Sequence, residues 1–520
     1  MPDSFAPKKT EQPIPDDNPV DSQPEKIEAR IESTLKQNIE ATREQKESIR
    51  KLLDSLNIKS LEEDLFDESE TKKIENKNHE FWKTQPVPKA DDVIKKDGPV
   101  HPDIPFDKIP KEKVPLPEGY IWCNLDIYNK NQMKELYTLL SLNYVEDSDE
   151  MFRFNYLPEF LIWALDPPGQ NHDWHIGVRK TDGSDELVGF IAGLEIDVKV
   201  NETVKRMAEI NFLCINKSLR KQRLAPILIK EVTRRFHLNG IFQAVYTAGI
   251  RIPTPFAVCQ YFHRPLNPKK LVDSGFSRLP LGMTMSRLVA NYKLVQDQIP
   301  KVGIVREMHK HDVPQVRKLL SKYLNARSKM HQVFKTDEMV SHWLLPQKDV
   351  VYTYVVEDMK KAGKITDFFS FYLLPSSILK NSSATNEKKH VGPAGKKKTI
   401  VPAITDPLRT NPNSLINSAY LFYYGSNPEP AASLLTPENK SNFKEMNEAK
   451  IKERTISIIG NALMMAKKEN FDVFNCVKLL DNELFLDELK FGGGDGYLHY
   501  YFYNWLTKEM ENKDVGLTML

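Results

Sequence analysis

Three basic residues, Arg220, Lys221 and Arg223, lie between two segments of regular pattern. Residues 209–215 form a short apolar run of strand-forming types, and residues 224–238 show helical spacing of apolar side chains. The pattern predicts a strand, a basic turn and a helix. Because a helix N-terminus offers free amides and the positive end of the helix dipole, the three cations favour a phosphate-binding site. A basic turn on the surface of an ordinary α/β protein fits these residues alone about equally well.

The turn lacks the common nucleotide-binding loops. It contains neither G-x-x-x-x-G-K-[ST] nor G-x-G-x-x-G. It resembles instead the Arg/Gln-x-x-Gly-x-Gly/Ala loop of the acetyltransferase superfold, in which a strand end and the next helix hold the pyrophosphate of coenzyme A. Arg220 and Ala225 keep the spacing of that loop, whereas Arg223 occupies a position where the loop has glycine.

The composition indicates a globular protein of more than one domain. Its 520 residues are enough for two or three domains, and a hydrophobic content of 40% supports a substantial core. With 73 basic and 71 acidic residues the formal charge is +2, which argues against bulk electrostatic binding to nucleic acid.

Four cysteines, Cys123, Cys214, Cys259 and Cys476, lie far apart and form no C-x-x-C pair. This spacing favours reduced thiols over a disulfide framework or a zinc site, so we expect no metal. The sequence shows neither a signal-peptide core nor an apolar run of membrane-spanning length. We therefore expect a soluble, cytoplasmic protein.

Four regions follow one another along the chain. Residues 1–75 are rich in charged residues and proline, a composition that predicts a solvated N-terminal arm. Residues 76–118 carry two adjacent aromatics in a polar, proline-rich context and are predicted to dock onto a folded body. Residues 119–300 and 301–520 are each predicted to form an α/β domain.

The two predicted domains share one order of elements. The predicted helix 130–143 corresponds to a helix at 313–323, and the predicted strand 209–215 corresponds to a strand at 419–425. Because the repeat length is about half of the folded part, the pattern predicts two related domains and not a solenoid.

Two segments interrupt this pattern in the second domain. Residues 381–418 and 426–448 are rich in Ser, Asn, Pro, Lys and Gly. We predict that both are long surface loops.

Several longer motifs together resemble the eukaryotic glycylpeptide N-myristoyltransferases, with a leaning towards fungal members. They follow one another in order over residues 80–520. The motifs are residues 81–88, 143–147, 151–154, 209–214, 219–226, 246–249, 491–496 and 515–520. The resemblance implies two tandem acetyltransferase-like (acyl-CoA N-acyltransferase) domains related by internal pseudo-twofold symmetry. This implied fold agrees with the repeated order of elements.

The resemblance also implies the reaction. The protein is expected to transfer a myristoyl group from myristoyl-CoA, as co-substrate, to the N-terminal glycine amine of proteins, without a prosthetic group or a metal. The residues implied in binding acyl-CoA are Glu80, Phe81, Trp82, Lys83, Phe212, Leu213, Cys214, Ile215, Arg220, Lys221, Gln222, Arg223, Leu224 and Ala225.

Five residues are implied in catalysis by the same resemblance. The backbone amides of Phe212 and Leu213 would form an oxyanion hole, which suits the negative charge that develops on a thioester carbonyl under attack by an amine. The terminal carboxylate of Leu520 would act as the base. Because the ending is apolar, we expect it to be buried, where desolvation makes a carboxylate more basic. Asn211 and Thr247 would hold the glycine amine.

The implied peptide groove combines aromatic and acidic residues. An acidic loop would attract a basic residue of the substrate, and the glycine-rich run 492–496 is predicted to be a tight turn that brings an aspartate to the groove. The groove residues are Tyr144, Val145, Glu146, Asp147, Phe152, Phe154, Tyr156, Tyr261, His263, Tyr372, Ser376, Tyr420 and Asp495. On pattern alone, residues 152–156 fit an ordinary alternating strand equally well.

The expected partners are N-terminal-glycine proteins and nascent chains, with the arm contacting ribosomes. We expect a monomer that neither binds nucleic acid directly nor spans a membrane. One alternative is a related acyl-CoA transferase with another acyl length or a lysine acceptor. Another is a non-catalytic protein that binds acyl-CoA or peptides.

Overall fold

The computed structural model of the protein describes residues 79–89, 92, 94–145, 151–294, 303–379, 415–427 and 440–520, with side chains from 448 onward in the last range. The predicted arm and most of the two predicted surface loops lie outside these residues. So do two of the implied groove residues, Glu146 and Asp147. Residues 79–520 form one compact unit.

The strands alternate with helices along most of the described chain. The strands are β1 (Tyr120–Asn124), β2 (Phe152–Phe154), β3 (His175–Lys180), β4 (Leu187–Val200), β5 (Thr203–Ile215), β6 (Ala244–Ala248), β7 (Ala257–Pro265), β8 (Ile304–Glu307), β9 (Met330–Gln332), β10 (Val351–Glu357), β11 (Ile365–Leu373), β12 (Ser376–Ile378), β13 (Leu415–Ile416), β14 (Ser418–Ser426), β15 (Val473–Val477) and β16 (Gly492–Tyr503). The helices are α1 (Glu80–Lys83), α2 (Lys130–Asn143), α3 (Pro158–Leu165), α4 (Leu224–Leu238), α5 (Pro268–Asp273), α6 (Met285–Asn291), α7 (Val313–Arg327), α8 (Asp337–Leu344) and α9 (Lys440–Lys468).

One large mixed sheet runs through both halves of the described chain. Its strand order is β1-β3-β4-β5-β6-β16-β7-β15-β14-β11-β10-β8, with β9 added beside β4. Strands β13, β12 and β2 form a smaller sheet. None of the helices among the described residues is both long enough and apolar enough to cross a bilayer.

The large sheet has the same strand order from either edge, if each strand of the first half is replaced by its equivalent in the second half and the reverse. β1, β3, β4, β5, β6 and β7 of the first half correspond to β8, β10, β11, β14, β15 and β16 of the second. The two parallel contacts, β5 with β6 and β14 with β15, are also equivalent. The predicted α/β fold of two halves related by pseudo-twofold symmetry is confirmed.

The last strand of each half lies among strands of the other half. β16 separates β6 from β7, and β7 separates β16 from β15. The halves therefore share one continuous sheet at their junction. The domain limits 76–118, 119–300 and 301–520 stay predictions.

Helix α4 packs on one face of the sheet through apolar residues spaced by four. Leu224, Leu228, Val232 and Phe236 are buried in one cluster, because residues four apart lie on the same side of a helix. The ring of Phe236 stacks on Trp174 at 4.2 Å between centroids. This contact fixes the helix across the strands that carry the predicted site.

The segment before β1 packs on this body. Val87 is buried, and the Asn504 N–H donates a hydrogen bond to the Pro86 carbonyl oxygen at 2.7 Å. The Trp122 Nε1–H donates to the Val114 carbonyl at 2.7 Å.

The C-terminal segment runs through the core, as its apolar composition predicts. Val515 and Leu517 are fully buried, and Met519 is nearly so. The Gly516 N–H donates to the Met330 carbonyl at 2.6 Å, and the Tyr500 hydroxyl donates to the Leu517 carbonyl at 3.0 Å. The ending is therefore mostly buried, as expected, whereas Leu520 itself is only partly buried.

Two sequence predictions are wrong. The run 492–496 is not a tight turn but the start of β16, with a register shift between Gly493 and Tyr497. Its glycines have ordinary φ angles, and glycine is required by close approach, since a Cβ on Gly494 would collide with Nε2 of His263. The predicted loop bounds are also too wide, because β13 and β14 begin at Leu415 and Ser418, inside the first loop, and α9 begins at Lys440, inside the second.

Candidate active site

A β-bulge interrupts β5 at Phe212 and Leu213. The register of β4 against β5 shifts there, so that two residues of β5 stand opposite Ile191 of β4. Phe212 has φ +57°, in the left-handed region that non-glycine residues rarely adopt. A bulge leaves its extra residue outside the ladder, and here the backbone of Phe212 hydrogen-bonds the Tyr144 hydroxyl.

Strands β5 and β6 diverge close to the bulge. The two strands pair only from Ala208 to Ile210 and from Ala244 to Tyr246. A cavity of about 180 Å³ lies where they separate. Its apolar wall comes from β4, β5, α4 and the segment after α4, and consists of Ile191, Ala208, Ile210, Ile229, Val232, Phe236, Ile241 and Phe242.

The five residues predicted to act in catalysis all line this cavity. Asn211, Phe212 and Leu213 come from β5, and Thr247 comes from β6. Leu520 reaches the cavity from the buried C-terminal segment. Residues about 300 positions apart in the chain thus line one cavity, and the structure brings together a set predicted from separate motifs.

Trp82 is the member of α1 that lines the cavity. Its ring stacks on Tyr246 at 5.6 Å between centroids, and Tyr246 stacks in turn on Tyr501 at 5.2 Å. Phe81 contacts the edge of Trp82. Glu80, Phe81 and Lys83 do not belong to the wall.

The predicted phosphate-binding turn is a 3-10 helix, Lys217–Gln222, followed by α4. Arg223, the residue at the glycine position of the motif, has φ +57°. A left-handed arginine costs ~1–2 kcal/mol, which explains why glycine suits this position. The turn lies outside the cavity wall, at the N-terminus of the helix that supplies part of it.

The cations of this turn differ in their surroundings. Arg220 donates a hydrogen bond from Nη2 to the Asn143 carbonyl at 2.7 Å, which ties its guanidinium to the end of α2. Gln222 accepts from the Tyr120 hydroxyl at 2.8 Å. Lys221 and Arg223 are exposed.

The predicted groove residues form a connected aromatic surface next to the cavity. The Tyr144 ring contacts Tyr156 at 5.5 Å, and Phe154 contacts Tyr420 at 6.0 Å. Tyr420 stacks on Tyr372 at 5.4 Å. Burial raises the pKa of Tyr261 to about 12, so this phenol stays protonated.

A second part of the groove surrounds His263. Its Nδ1 hydrogen-bonds Oδ1 of Asn475 at 2.7 Å, and Phe276 contacts both His263 and Phe152 through ring edges. Burial lowers the pKa of His263, while the bond to Asn475 and the charge of Asp495 oppose this. Ser376 of β12, another predicted groove residue, pairs with Phe154 of β2. Val145 lies at the edge of the described residues.

Two predicted acyl-CoA residues follow the bulge without lining the cavity. Cys214 is buried, and burial raises the pKa of its thiol to about 12, so the thiol is unreactive. Ile215 ends β5. All four cysteines are free thiols.

Sequence reasoning missed Glu209. Its side chain is 5% exposed, and its Oε1 accepts a hydrogen bond from Nδ2 of Asn211 at 2.8 Å. Burial raises its pKa to about 7, although the bond from Asn211 opposes the shift. The available signal was a carboxylate inside an apolar strand, two residues from Asn211.

Tyr246 was also missed as a site residue. Its hydroxyl is buried and has no hydrogen-bond partner among the described residues, and its ring lines the cavity. An unsatisfied buried hydroxyl at a cavity wall is available to a ligand. Only the position of Tyr246 next to Thr247 in the motif 246–249 could have indicated it.

The chain matches two sequence families along its length. One is described as the N-terminal domain of myristoyl-CoA:protein N-myristoyltransferase and covers residues 99–259. The other is the C-terminal domain of the same enzyme and covers residues 273–389 and 407–518. The chain belongs to the N-myristoyltransferase family.

Similar proteins come from distant organisms. Glycylpeptide N-tetradecanoyltransferase 2 of Danio rerio is 42% identical over 442 residues, 85% of this chain and 77% of that protein. Glycylpeptide N-tetradecanoyltransferase 1 of Arabidopsis thaliana is 42% identical over 450 residues, which are 86% of this chain and 90% of that protein. The crystal structure of Saccharomyces cerevisiae N-myristoyltransferase with bound myristoyl-CoA aligns with a TM-score of 0.73 at 36% identity, covering 85% of this chain and all of that one.

Replacing Glu209 by glutamine should stabilise this N-myristoyltransferase family member at high pH. Its folded-state pKa of about 7 lies above the ordinary 4.5, so the folded protein binds the proton more tightly than the unfolded chain does. The stability from this group is present below the ordinary pKa and is lost as the pH rises through about 7. The shift corresponds to roughly 3 kcal/mol.

Urea unfolding at about pH 5 and about pH 8 measures this effect. We expect Glu209→Gln to be more stable than wild type at the higher pH, with a smaller difference at the lower one. Glu195, which pairs with Arg206 on the surface, supplies the control, and Glu195→Gln should follow the wild-type pH dependence. An identical pH dependence of Glu209→Gln and wild type would contradict the shifted pKa.

Proposed function

We propose that this protein transfers a myristoyl group from myristoyl-CoA to the N-terminal glycine amine of protein substrates. The observation that carries the proposal is the meeting of Asn211, the Phe212–Leu213 bulge, Thr247 and Leu520 at one cavity with a largely apolar wall. Membership of the N-myristoyltransferase family supports the acyl group and the acceptor.

The apolar part of the cavity suits the acyl chain. Ile229, Val232 and Phe236 of α4 face Ala208 and Ile210 of β5 across it. Each methylene moved from water into such surroundings contributes about 0.8 kcal/mol. The CoA phosphates would lie towards the basic turn at the other end of α4, where free amides and cations suit an anion.

The bulge suits the thioester carbonyl. As the amine attacks, the carbonyl oxygen gains negative charge, and we propose that the amides of Phe212 and Leu213 donate to it, with the oxygen replacing the Tyr144 hydroxyl as partner of the Phe212 backbone. A preorganised donor of this kind contributes about 3–4 kcal/mol. The polypeptide fixes these amides before substrate binds, because Phe212 is buried among other aromatic rings.

The substrate amine needs a group placed to accept its proton during the attack, and this group need not be a strong base. With a pKa near 8, an α-amine is about one tenth neutral at pH 7. The side chains of Asn211 and Thr247 would hold it, and the carboxylate of Leu520 would take its proton. The C–N bond forms, the C–S bond breaks, and CoA leaves as a thiolate that is then protonated.

The substrate peptide would lie along the aromatic surface from Tyr144 to Tyr420 and the part around His263. The acidic pair Glu146 and Asp147 is proposed to attract a basic residue of the peptide. Asp495 would add a further negative charge beside His263, whose pKa it influences.

Deletion of Leu520 tests the proposed base. We expect release of CoA from myristoyl-CoA with a Gly-Asn-Ala-Ala-Ser peptide to fall ~10²–10⁴-fold, the usual contribution of a general base, because the carboxylate moves back by one residue. Binding of myristoyl-CoA should persist. Turnover is followed by thiol release, and binding by calorimetry.

Leu520→Met is the matched control, since it changes the side chain and keeps the terminal carboxylate in place. It should retain most activity. Equal turnover of wild type and the deletion variant would remove Leu520 from the mechanism. Binding without turnover in the wild type would favour a non-catalytic protein.

Gly494→Ala tests the peptide groove. The added Cβ would collide with Nε2 of His263 and approach the Tyr261 carbonyl at 3.2 Å. We expect the KM for peptide to rise about tenfold, equivalent to ~1.4 kcal/mol, with unchanged affinity for myristoyl-CoA. Gly492→Ala in the same strand is the control, because nothing lies within 4 Å of its Cβ. Equal effects of the two substitutions would argue against a groove at His263.

We further propose that the protein works as a cytoplasmic monomer and that residues 1–75 contact ribosomes, as the charged, core-free composition of the arm suggests. Deleting the arm should then abolish co-sedimentation with ribosomes and leave turnover on free peptides intact. Co-sedimentation unchanged by the deletion would refute the role of the arm.

A further inference from the structure

A buried carboxyl lies directly behind the cavity wall. Glu209 and Asn211 are two residues apart on β5, before the bulge, and therefore face the same side of the sheet. Nδ2 of Asn211 donates to Oε1 of Glu209 at 2.8 Å. Asn211 lines the cavity, whereas Glu209 does not.

The surroundings of Glu209 offer little compensation for a negative charge. Its partners on the adjacent strands, Leu194 and Val245, are apolar. Within the described part of the chain, it forms no ion pair with a lysine, arginine or histidine. Buried carboxylates are otherwise nearly always paired, so an uncompensated one calls for an explanation in function.

A tyrosine of β14 links this side of the sheet to the C-terminal segment. Tyr423 of β14 faces Glu209 closely enough for the carboxylate charge to help raise the pKa of its phenol, after the larger effect of burial. The Tyr423 hydroxyl accepts the Thr518 N–H at 3.3 Å. Two residues further on, Leu520 lines the same cavity as Asn211.

We propose that Glu209 is a positioning residue, which holds the Asn211 amide with its oxygen towards the cavity only while Glu209 is ionised. The proposal rests on the proposed function, since it concerns the amine that Asn211 would hold. Glu209 itself does not take the proton of the substrate.

The argument follows from hydrogen-bond chemistry. An ionised carboxylate only accepts, so the NH₂ group of Asn211 must face Glu209 and its oxygen must point away, where it can accept from an amine. A protonated Glu209 can donate. Asn211 could then turn over and present its NH₂ group to the cavity, where it would oppose the N–H groups of the substrate.

The pKa of Glu209, raised by burial to about 7, places this change in the working range of pH. The acid side of the kcat profile should therefore contain an ionisation that belongs to Glu209. The ionisation of Glu209 can be separated from that of the substrate amine. Every variant uses the same peptide, so the ionisation of the amine is the same in all of them.

The test compares kcat between about pH 5.5 and about pH 9 for wild type, Glu209→Gln, Asn211→Ala and the double variant. We expect Glu209→Gln to lower kcat about tenfold at high pH and to lose the ionisation near 7, because a glutamine amide holds Asn211 in either orientation. Adding Glu209→Gln to Asn211→Ala should have no further effect. The KM for myristoyl-CoA should stay unchanged.

Asn211→Ala alone gives an independent test if Glu209→Gln folds poorly, since it should lose the same ionisation. Effects that multiply in the double variant, or an unchanged pH profile in both single variants, would overturn the proposal. Glu195→Gln is the control and should behave as wild type. A wild-type protein that releases no CoA would instead count against the proposed function.

Discussion

The bulge at Phe212 is the constraint on which the site depends. A β-ladder pairs nearly every amide, and a buried unpaired amide costs free energy. The left-handed backbone at Phe212 adds strain of about 1–3 kcal/mol. This arrangement persists because the surrounding core fixes it, with the Phe212 ring packed at 5.5 Å from Tyr156 and 6.1 Å from Tyr144. The strands can then diverge and leave a cavity inside an otherwise continuous sheet.

The exchange of β7 and β16 places the C-terminus at this cavity. β16 pairs with β6, so that Tyr500 stands opposite Thr247. The chain after β16 then returns through the core, held by Gly516 and by the Tyr500 hydroxyl. The second half thus completes a site whose other members belong to the first. A local sequence pattern contains no information on such a pairing, because it joins residues about 250 positions apart.

Local physics explains which parts of the fold were predictable. Helices α2 and α4 begin and end where their apolar spacing predicts, because each has a continuous buried face. Strand β7 was missed, since its alternation includes His263 and Arg264 and its neighbours are distant in sequence. The glycines at 492–496 suggested a turn, but they serve close packing against His263. Composition cannot separate these two uses of glycine.

The candidate site was predictable only in part for a similar reason. Motifs identified the five residues predicted to act in catalysis, all of which line the cavity, but Glu209 became evident only from its burial and its hydrogen bond to Asn211, and Tyr246 only from its buried, unpaired hydroxyl. The wall also contains Gln243, whose Oε1 is buried and, among the described residues, unpaired. An uncompensated carboxyl, an unpaired phenol and an unpaired amide oxygen lower the stability of the empty protein. Tyr246 and Gln243 line the cavity whereas Glu209 lies behind it, so a ligand with both donors and acceptors would offset the part of this cost that belongs to the phenol and the amide.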